Sequence, residues 1–542
     1  MKHLKKSLMI LLSAVFVGSL SACELPWKKK DDTPKQKEAL VIPTVNVEDL
    51  EVNLPDCPTR NVGAIRSDEN YEYIDLYELS DFHGAVEYEP DHDSGTYIGL
   101  PKLATYFEQK RNENIGGTLI LSSGDMFQGS ADSNLTRGYL VNYCMQYMGF
   151  DAMALGNHEF DWTDEWIKKN AELKYNTSTI PYLGANITKN GVLPDFLQKS
   201  TVVTRGDYKI GIIGVIGNAL ENTILKSCLV GYDFSSYKTI VDTEAARLRN
   251  EEGCNAVVLL AHEGAEEIEL VSGVNAIFGG HAHENKKTTR NNIPSLATLN
   301  YGQSVAHVAL KFDKNTKEFV DALDNEIVEM KTVGSTLVDN ENVRSIMNEF
   351  VPSINEIKNL KLGKCDAKLA YNKALKNICT TTLFNVAVNA ANQVDEIDSS
   401  KIVMSLHNVN GGIRDDIQAG EITYGNVYRS FPFDNEIILL KLTGTEVIDA
   451  VNIIKSIGLG LYKIFETRNY FQANEYYYFA TTDFLALSEK YLGKIKHFAD
   501  EDLIRTGYVV RDEVAKRIYE IDDVKNGEWA AEKSNYTIPM SF

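Results

Sequence analysis

The sequence lacks several features that would place it in other classes of protein. Beyond the amino terminus it has no run of 18 apolar residues, so we expect no transmembrane helix there. Cysteine is scarce, at seven residues, and there is no CxxC pair or metal-finger spacing. Basic residues are outnumbered, with 55 Lys and Arg against 76 Asp and Glu. This acidic surplus argues against a nucleic-acid polymer or an anionic membrane surface as the main partner.

The composition is that of a folded, multidomain protein. Of its 542 residues, 44% are hydrophobic and 24% are charged, so the chain can bury sizeable cores and is not globally disordered. A length of this kind favours two to four domains.

The amino terminus has the layout of a signal peptide. Lysines precede an apolar run from Leu8 to about Val17, and a stretch of small residues ends at Cys23. The small-residue stretch resembles a bacterial lipobox, so we predict a signal peptide over 1–22, a lipidated Cys23 and a charged, flexible tether over 23–70. This places the protein at the cell surface, on the outer face of a bacterial membrane. The alternative is an ordinary secretory signal with a chance cysteine.

The six cysteines after Cys23 allow two interpretations. Their even number would permit disulfides outside the cytoplasm, with Cys365–Cys379 and Cys228–Cys254 the nearest pairs in sequence. The alternative is a set of buried free thiols.

Hydrophobic patterning divides the rest of the chain into domains. Apolar strands alternate with amphipathic helices over 71–315, which predicts an α/β domain. A polar helical stretch near its end predicts a linker with a bridging helix over 316–360. Mixed strands and helices over 361–542 predict a smaller α+β domain.

Five motifs of Asp, His and Asn with neighbouring glycines follow apolar strands of the first domain. Ligands in α/β folds bind at the carboxyl ends of strands, and glycine lets the backbone turn sharply there. The motifs are Ser80-Asp81-Phe82-His83-Gly84, Ser123-Gly124-Asp125, Gly156-Asn157-His158-Glu159-Phe160-Asp161, Ala261-His262 and Gly279-Gly280-His281-Ala282-His283.

This residue content predicts a metal site. Five of the ten histidines lie in these motifs, and imidazole with carboxylate suits divalent zinc, manganese, iron or cobalt. Two neighbouring cations need a shared anionic ligand because their charges repel, and one bridging Asp would supply it.

The order of the motifs resembles that of the calcineurin-like metallophosphoesterases. Their flanking residues resemble one branch, the bacterial 5′-nucleotidase and UDP-sugar hydrolase family. The resemblance implies a four-layer αββα metallophosphoesterase sandwich followed by a smaller α+β substrate-binding domain. It implies one metal position formed by Asp81, His83, Asp125 and His283, and a second formed by Asp125, Asn157, His262 and His281.

The same resemblance makes His158 and Asp161 a catalytic pair. Asp161 can orient the imidazole of His158 and favour its protonated form, which stabilises charge or protonates the leaving group. The nucleophile would be a metal-bound water that attacks in line. The alternative for Asp161 is a helix N-cap.

The second domain resembles the family's substrate-binding domain less closely. Arg414 would contact phosphate, and Phe433 and Tyr491 would stack on a base. A surface ion pair for Arg414 and a core position for Phe433 are the alternatives. Val409 stands where the family has Asn, and the stretch 377–386 lacks the family's arginines.

We therefore predict a two-metal phosphoesterase that hydrolyses extracellular 5′-mononucleotides, 2′,3′-cyclic nucleotides or UDP-sugars. Its partners would be a small phosphoester and, through a lipid anchor, the membrane; no obligate protein partner is evident. One alternative is a phosphoesterase for a non-nucleotide substrate. The other, of a different class, is a surface binding lipoprotein with a vestigial metal site.

Overall fold

The computed structural model describes residues 39–456, 462–464 and 471–530. Cys23, the predicted signal peptide and the first part of the predicted tether lie outside these residues. The described residues form two compact units. The first, which we call the metal unit, comprises Thr44–Asn359 with Leu487–Lys494. The second, the C-terminal unit, comprises Leu360–Ala486 with the described residues 495–530 and 39–43.

The metal unit alternates strands and helices along the chain. Its elements are β1 (Tyr71–Glu78), β2 (Glu89–His92), β3 (Gly95–Tyr97), α1 (Gly99–Glu113), β4 (Thr118–Ser122), α2 (Ala131–Leu135), α3 (Tyr139–Met148), β5 (Ala152–Ala154), α4 (Thr163–Glu172), β6 (Tyr182–Leu183), β7 (Ile187–Lys189), β8 (Ser200–Arg205), β9 (Tyr208–Ile216), β10 (Tyr232–Phe234), α5 (Lys238–Asn250), β11 (Ala256–His262), β12 (Ala276–Gly279), β13 (Lys286–Arg290), β14 (Ile293–Ala297), β15 (Ser304–Asp313), β16 (Phe319–Glu329), α6 (Met330–Val333) and α7 (Glu341–Lys358).

Two sheets stack face to face at the centre of the metal unit. In the part of the chain that the structure describes, their strand orders are β16-β15-β1-β4-β5-β6 and β13-β14-β12-β11-β9-β8. Strands β1, β4, β5 and β6 run parallel to one another, as do β9, β11, β12 and β14. Side chains from both sheets, such as Leu76, Leu121 and Val258, form one fully buried core between them. Such near-continuous apolar strands are typical of parallel sheets covered on both faces.

Helices cover the outer face of each sheet. Phe107 on α1, Met145 on α3 and Phe350 on α7 belong to one buried cluster on the first sheet. Val241 and Leu248 on α5 belong to another on the second sheet. The predicted αββα sandwich is thereby confirmed.

The C-terminal unit is smaller and mixes its element types. Its elements are β17 (Lys361–Cys365), α8 (Lys376–Ala391), β18 (Ile402–Leu406), β19 (Gly420–Thr423), α9 (Tyr424–Ser430), β20 (Glu436–Thr443), α10 (Gly444–Ser456), β21 (Tyr462–Ile464), β22 (Tyr476–Thr482), α11 (Asp483–Leu487), β23 (Leu503–Val509), α12 (Val510–Ile521), β24 (Asp523–Val524) and α13 (Asn526–Ala530).

Its strands form two sheets, ordered β21-β18-β22-β20-β23 and β19-β17-β24 within the described residues. Both parallel and antiparallel pairs occur, for example β18 with β22 and β20 with β22. This is the α+β domain that the resemblance implied.

The expected linker over 316–360 is part of the metal unit instead. Strand β16 pairs with β15, and α7 packs against α1 and α3. The helix reads as polar in the sequence, yet its Ile346, Phe350 and Ile354 recur on one face and are fully buried.

The expected tether also ends earlier than 70. From Thr44 to Arg66 the chain forms a strap that lies along the metal unit. Val47 is only 4% exposed, and the Tyr175 hydroxyl donates a hydrogen bond of 2.5 Å to the carbonyl of Pro55. Apolar residues spaced along this charged stretch account for the packing.

Two further features concern the cysteines and the helices. The six described cysteines are free thiols, and all but Cys57 are buried, so the free-thiol alternative is the one found.

No helix in the described ranges combines the length and apolar character needed to cross a membrane.

The strap provides a test of this packing. Val47→Asp should release the strap, since a carboxylate buried without a partner is strongly unfavourable. Hydrogen exchange and limited proteolysis should both increase over residues 44–66. Val62→Asp is the matched control, because Val62 lies in the same segment and is 78% exposed. Equal protection in the two variants would show that the strap does not depend on this contact.

Candidate metal centre

The seven residues expected to bind metals lie together in the metal unit. Asp81 and His83 follow β1, Asp125 follows β4, and Asn157 follows β5 on the first sheet. His262 ends β11, and His281 and His283 follow β12 on the second sheet. The carboxyl ends of the parallel strands in both sheets therefore meet at one site.

Three of these residues form a first group. Asp81, His83 and His283 offer ligand atoms that lie within 4.8 Å of one another. The two Nε2 atoms of the histidines are 3.2 Å apart, and His283 Nε2 lies 3.3 Å from Asp81 Oδ1.

Asp125, His262 and His281 form a second group of the same size. Asp125 Oδ2 lies 3.2 Å from His262 Nε2. The side-chain oxygen of Asn157 lies 3.1 Å from His262 Nε2 and 3.0 Å from His281 Nδ1. Asn157 thus joins this group.

The backbone of this site is strained. Five of the seven residues have φ between 49° and 67°, in the left-handed region that L-residues seldom occupy. They are Asp81, His83, Asp125, His281 and His283. Such conformations persist only where the surrounding structure imposes them, and they cluster at functional sites.

Gly156 shows how tightly the site is packed. A Cβ atom at this position would lie 2.2 Å from Asp125 Oδ1 and 2.7 Å from His262 Cε1. Only glycine therefore fits between the two side chains.

Buried Glu159 holds the turns that carry Asp125 and Asn157. Its carboxylate accepts hydrogen bonds from the backbone N–H of Asp125 and Gly156, at 2.8 Å each, and of Met126 at 2.9 Å. Burial and the neighbouring charge of Asp125 raise the pKa of Glu159, while these N–H donors oppose that rise.

Two imidazoles are oriented by backbone carbonyls. His83 Nδ1 lies 2.9 Å from the carbonyl oxygen of Gln128, and His262 Nδ1 lies 2.7 Å from that of Ser123. A carbonyl can only accept, so each Nδ1 carries its proton and Nε2 faces the group.

The electrostatics reflect opposite charges buried together. Burial lowers the pKa of His262, but the adjacent Asp125 more than offsets this and raises the pKa to about 10. The pKa of Asp125 falls well below its usual value despite burial, mainly because of His262. Burial and the charge of His262 lower the pKa of His281 to about 4. The carboxylate of Asp125 thus stabilises a positive charge at His262, which in turn disfavours a second one on His281.

These residues fit a pair of divalent cations. The two carboxylates, four imidazoles and one amide oxygen are the donors that divalent transition metals prefer. Asp125 Oδ2 is buried and accepts no hydrogen bond, although it lies 3.2 Å from His262 Nε2, so it is available as a ligand atom. Without bound cations, these closely packed polar and charged side chains would be buried without enough partners, which is unfavourable.

His158 and Asp161 form a contact beside the two groups. His158 Nδ1 lies 2.8 Å from Asp161 Oδ2, and the His158 ring centroid is 5.3 Å from that of His83. Helix α4 begins after Trp162 and has no side-chain cap bond, so Asp161 is not its N-cap.

In the C-terminal unit, Arg414 and Phe433 lie together. The Arg414 guanidinium is 5.2 Å from the ring centroid of half-buried Phe433. Buried Arg511 holds the adjoining backbone, with Nη2 at 2.6 Å from Asp434 and Nη1 at 3.4 Å from the Phe433 carbonyl. Tyr491 belongs to the segment grouped with the metal unit and is only 9% exposed.

Family comparisons agree with this architecture. Residues 76–285 match the calcineurin-like phosphoesterase family, and residues 362–460 match the 5′-nucleotidase C-terminal domain. The chain belongs to the 5′-nucleotidase type of the calcineurin-like phosphoesterases, which are hydrolases. The resemblance drawn from the motifs is confirmed.

Individual relatives are distant. The chain is 25% identical over 406 residues to the endonuclease YhcR of Bacillus subtilis, covering 70% of this chain and 32% of that protein. It is 24% identical over 483 residues to a 5′-nucleotidase of Vibrio cholerae, covering 79% and 84%. The chain spans between 27% and 56% of the length of the first three curated relatives that it matches.

Among solved structures, the chain is similar to the 5′-nucleotidase precursor of Thermus thermophilus. The TM-score is 0.68 at 19% identity, and the match covers 83% of this chain and 97% of that one. At this identity the likeness concerns the fold.

Sequence reasoning gave no role to some residues that shape these sites. Glu159 lies within the third motif, and its position beside Asn157 and His158 could have indicated that it belongs to the site. Asn300, which contacts His283 at 3.1 Å, and Arg511 lie outside every motif. No local pattern could have identified them.

The role of Glu159 can be measured. Glu159→Gln should destabilise the protein by at least about 1.5 kcal/mol, because one charge-assisted acceptor becomes a donor facing backbone N–H groups. The change would be followed by urea unfolding.

Glu165→Gln is the control, since Glu165 lies nearby with a side chain that is 68% exposed. It should unfold like the wild type. Unchanged stability in Glu159→Gln would mean that this carboxylate does not hold the two turns.

Proposed function

We propose that the chain is an extracellular two-metal phosphoesterase that hydrolyses nucleotide phosphates. Its substrates would be 5′-mononucleotides, 2′,3′-cyclic nucleotides or UDP-sugars. The observation that carries this proposal is the pair of ligand groups, Asp81 with His83 and His283, and Asp125 with His262 and His281. A complete and strained ligand set also argues against the alternative of a vestigial site.

The metals would supply the electrophilic chemistry. Two divalent cations, when bound, would neutralise charge on the phosphoryl oxygens and lower the pKa of a coordinated water to roughly 7. Asp81, His83, Asp125 and His283 would hold one cation. The other would be held by Asp125, Asn157, His262 and His281.

His158 would perform the proton chemistry. Its Nδ1 contacts the Asp161 carboxylate at 2.8 Å, which fixes the ring and favours a proton on the imidazole. Nε2 would then hold or deliver that proton at a phosphoryl or leaving-group oxygen. The backbone N–H of His158 also donates to Asp125 Oδ1 at 2.8 Å, which ties this residue to the ligand groups.

Substrate recognition would use the C-terminal unit. Arg414 offers a bidentate fork for phosphate oxygens, and Phe433 offers an aromatic face to a base. Arg511 would preserve the loop that presents Phe433. The Vibrio cholerae relative, whose name is 5′-nucleotidase, supports a nucleotide as the substrate.

A second candidate keeps the metals and changes the substrate to a non-nucleotide phosphoester. It is favoured by the burial of Tyr491, whose ring has little surface left for stacking on a base. The arginine-free stretch over 377–386 points in the same direction.

Location rests on the amino-terminal sequence. The small residues before Cys23 favour lipidation and anchoring at the outer face of a bacterial membrane. The net charge of −21 would repel an anionic substrate, so the bound cations would have to supply the local attraction.

A substrate panel tests the proposed function. Protein loaded with Mn²⁺ or Zn²⁺ would be assayed on AMP, a 2′,3′-cyclic nucleotide, UDP-glucose, bis-nitrophenyl phosphate and glycerol phosphate. We expect a nucleotide to have the highest kcat/KM, and Asp125→Asn to abolish turnover because the bridging charge is lost. Preference for glycerol phosphate would select the second candidate. No turnover of any substrate by metal-loaded wild type would contradict both.

The role of His158 is tested separately. His158→Ala should lower kcat roughly 10²–10⁴-fold, as expected for a lost general acid, while metal content stays at that of the wild type. His497→Ala, at an exposed histidine, is the matched control and should change neither quantity. Loss of metal from His158→Ala would mean that His158 is a ligand.

A further inference from the structure

One loop touches every member of the first ligand group. The loop of residues 298–303 joins β14 to β15. The N–H of Tyr301 donates to the carbonyl of Asp81 at 2.8 Å, and the Tyr301 ring centroid lies 5.6 Å from that of His83. The Asn300 Nδ2 atom lies 3.1 Å from His283 Nδ1, so in the structure the amide nitrogen faces the imidazole. The loop therefore supports Asp81, His83 and His283 together.

The group that contacts the Nδ1 atom of His283 differs in kind from those that contact the Nδ1 atoms of His83 and His262. The Nδ1 atoms of His83 and His262 face backbone carbonyls, which can only accept a hydrogen bond. His283 faces a side-chain amide, whose oxygen accepts and whose nitrogen donates. Rotating the Asn300 amide by 180° therefore exchanges the donor and the acceptor that face His283.

This choice decides whether His283 can bind a cation. Its Nε2 is the atom that converges on the group, at 3.3 Å from Asp81 Oδ1 and 3.2 Å from His83 Nε2. A lone pair on Nε2 requires a proton on Nδ1, and that proton requires an acceptor. Only the oxygen of Asn300 can provide it through this contact.

A neighbouring amide allows the required orientation. Gln303 Nε2 lies 3.1 Å from Asn300 Oδ1, so the two amides are hydrogen-bonded to each other. If both side-chain amides rotate by 180°, Asn300 Oδ1 faces His283 and Asn300 Nδ2 donates to Gln303 Oε1. The pair can thus exchange orientations without losing its mutual bond.

We propose that Asn300 is a positioning residue that selects the cation-binding tautomer of His283. It thereby sets the affinity of the Asp81, His83 and His283 group for a divalent transition metal such as Zn²⁺. The second group has its own partners in Asn157 and the Ser123 carbonyl, so the two metal positions respond differently to changes in the loop. This inference rests on the proposed two-metal function.

The test is Zn²⁺ affinity, measured on the full chain by competition with a chromophoric chelator. Wild type should bind two ions. Asn300→Leu keeps a similar volume and removes the acceptor, so one of the two affinities should fall roughly 10–100-fold while the other is unchanged. Asn300→Asp, which only accepts, should restore the lost affinity. The unchanged position also shows that the variant is folded.

A control distinguishes the acceptor from packing of the loop. Asn285 accepts hydrogen bonds from Leu299 N at 3.2 Å and Ser304 Oγ at 2.6 Å, and so braces the same loop. Asn285→Leu should weaken zinc binding less than Asn300→Leu does. Equal losses in these two variants, or an Asn300→Asp variant as weak as Asn300→Leu, would overturn the proposal.

A spectroscopic measurement gives independent evidence. With ¹⁵N-labelled histidine, long-range ¹H–¹⁵N correlations of the zinc-loaded protein should show His283 protonated at Nδ1 in wild type and in Asn300→Asp. Wild-type affinity at both positions in Asn300→Leu would overturn only this inference. Failure of wild type to bind zinc would instead contradict the proposed function.

Discussion

The site depends on a buried carboxylate that is not among the predicted ligands. Glu159 accepts hydrogen bonds from three backbone N–H groups, two on the turn after β4 and one on the turn after β5. These turns carry Asp125 and Asn157. Because a buried charge must be matched by donors, the turns are held where those donors can converge on it. The positions of Asp125 and Asn157 follow from this requirement.

Much of the metal unit could be predicted from the sequence, because its strands are short apolar runs followed by chemically distinctive motifs. Parallel strands bring their carboxyl ends together, so Asp81, Asp125 and His262 could be expected at one site from the sequence alone. The residues at which elements begin and end were harder to predict from the sequence. From the sequence, helix α7 is expected to be a polar bridge, but in the structure its Phe350 packs in one buried cluster with residues of α1 and α3. The strap reads as a tether because packing of a few apolar side chains leaves no periodic pattern.

Residues that act through others were the least predictable. Asn300 and Arg511 lie outside every motif, and their roles come from partners far away in sequence, such as Asp434 for Arg511. Phe433 was accessible from a resemblance, but the buried arginine that fixes its loop was not. Long-range side-chain contacts of this kind depend on tertiary structure, which local propensity does not encode.

The five left-handed ligand positions have a consequence for how such a site persists. Each costs on the order of 1 kcal/mol or more in backbone strain, so the fold alone would be more stable with glycine there. Stability and the proposed metal binding therefore make opposite demands on these five positions. Glycine at any of them would relieve backbone strain but would remove a ligand side chain, so a change that stabilises the fold here would weaken the site.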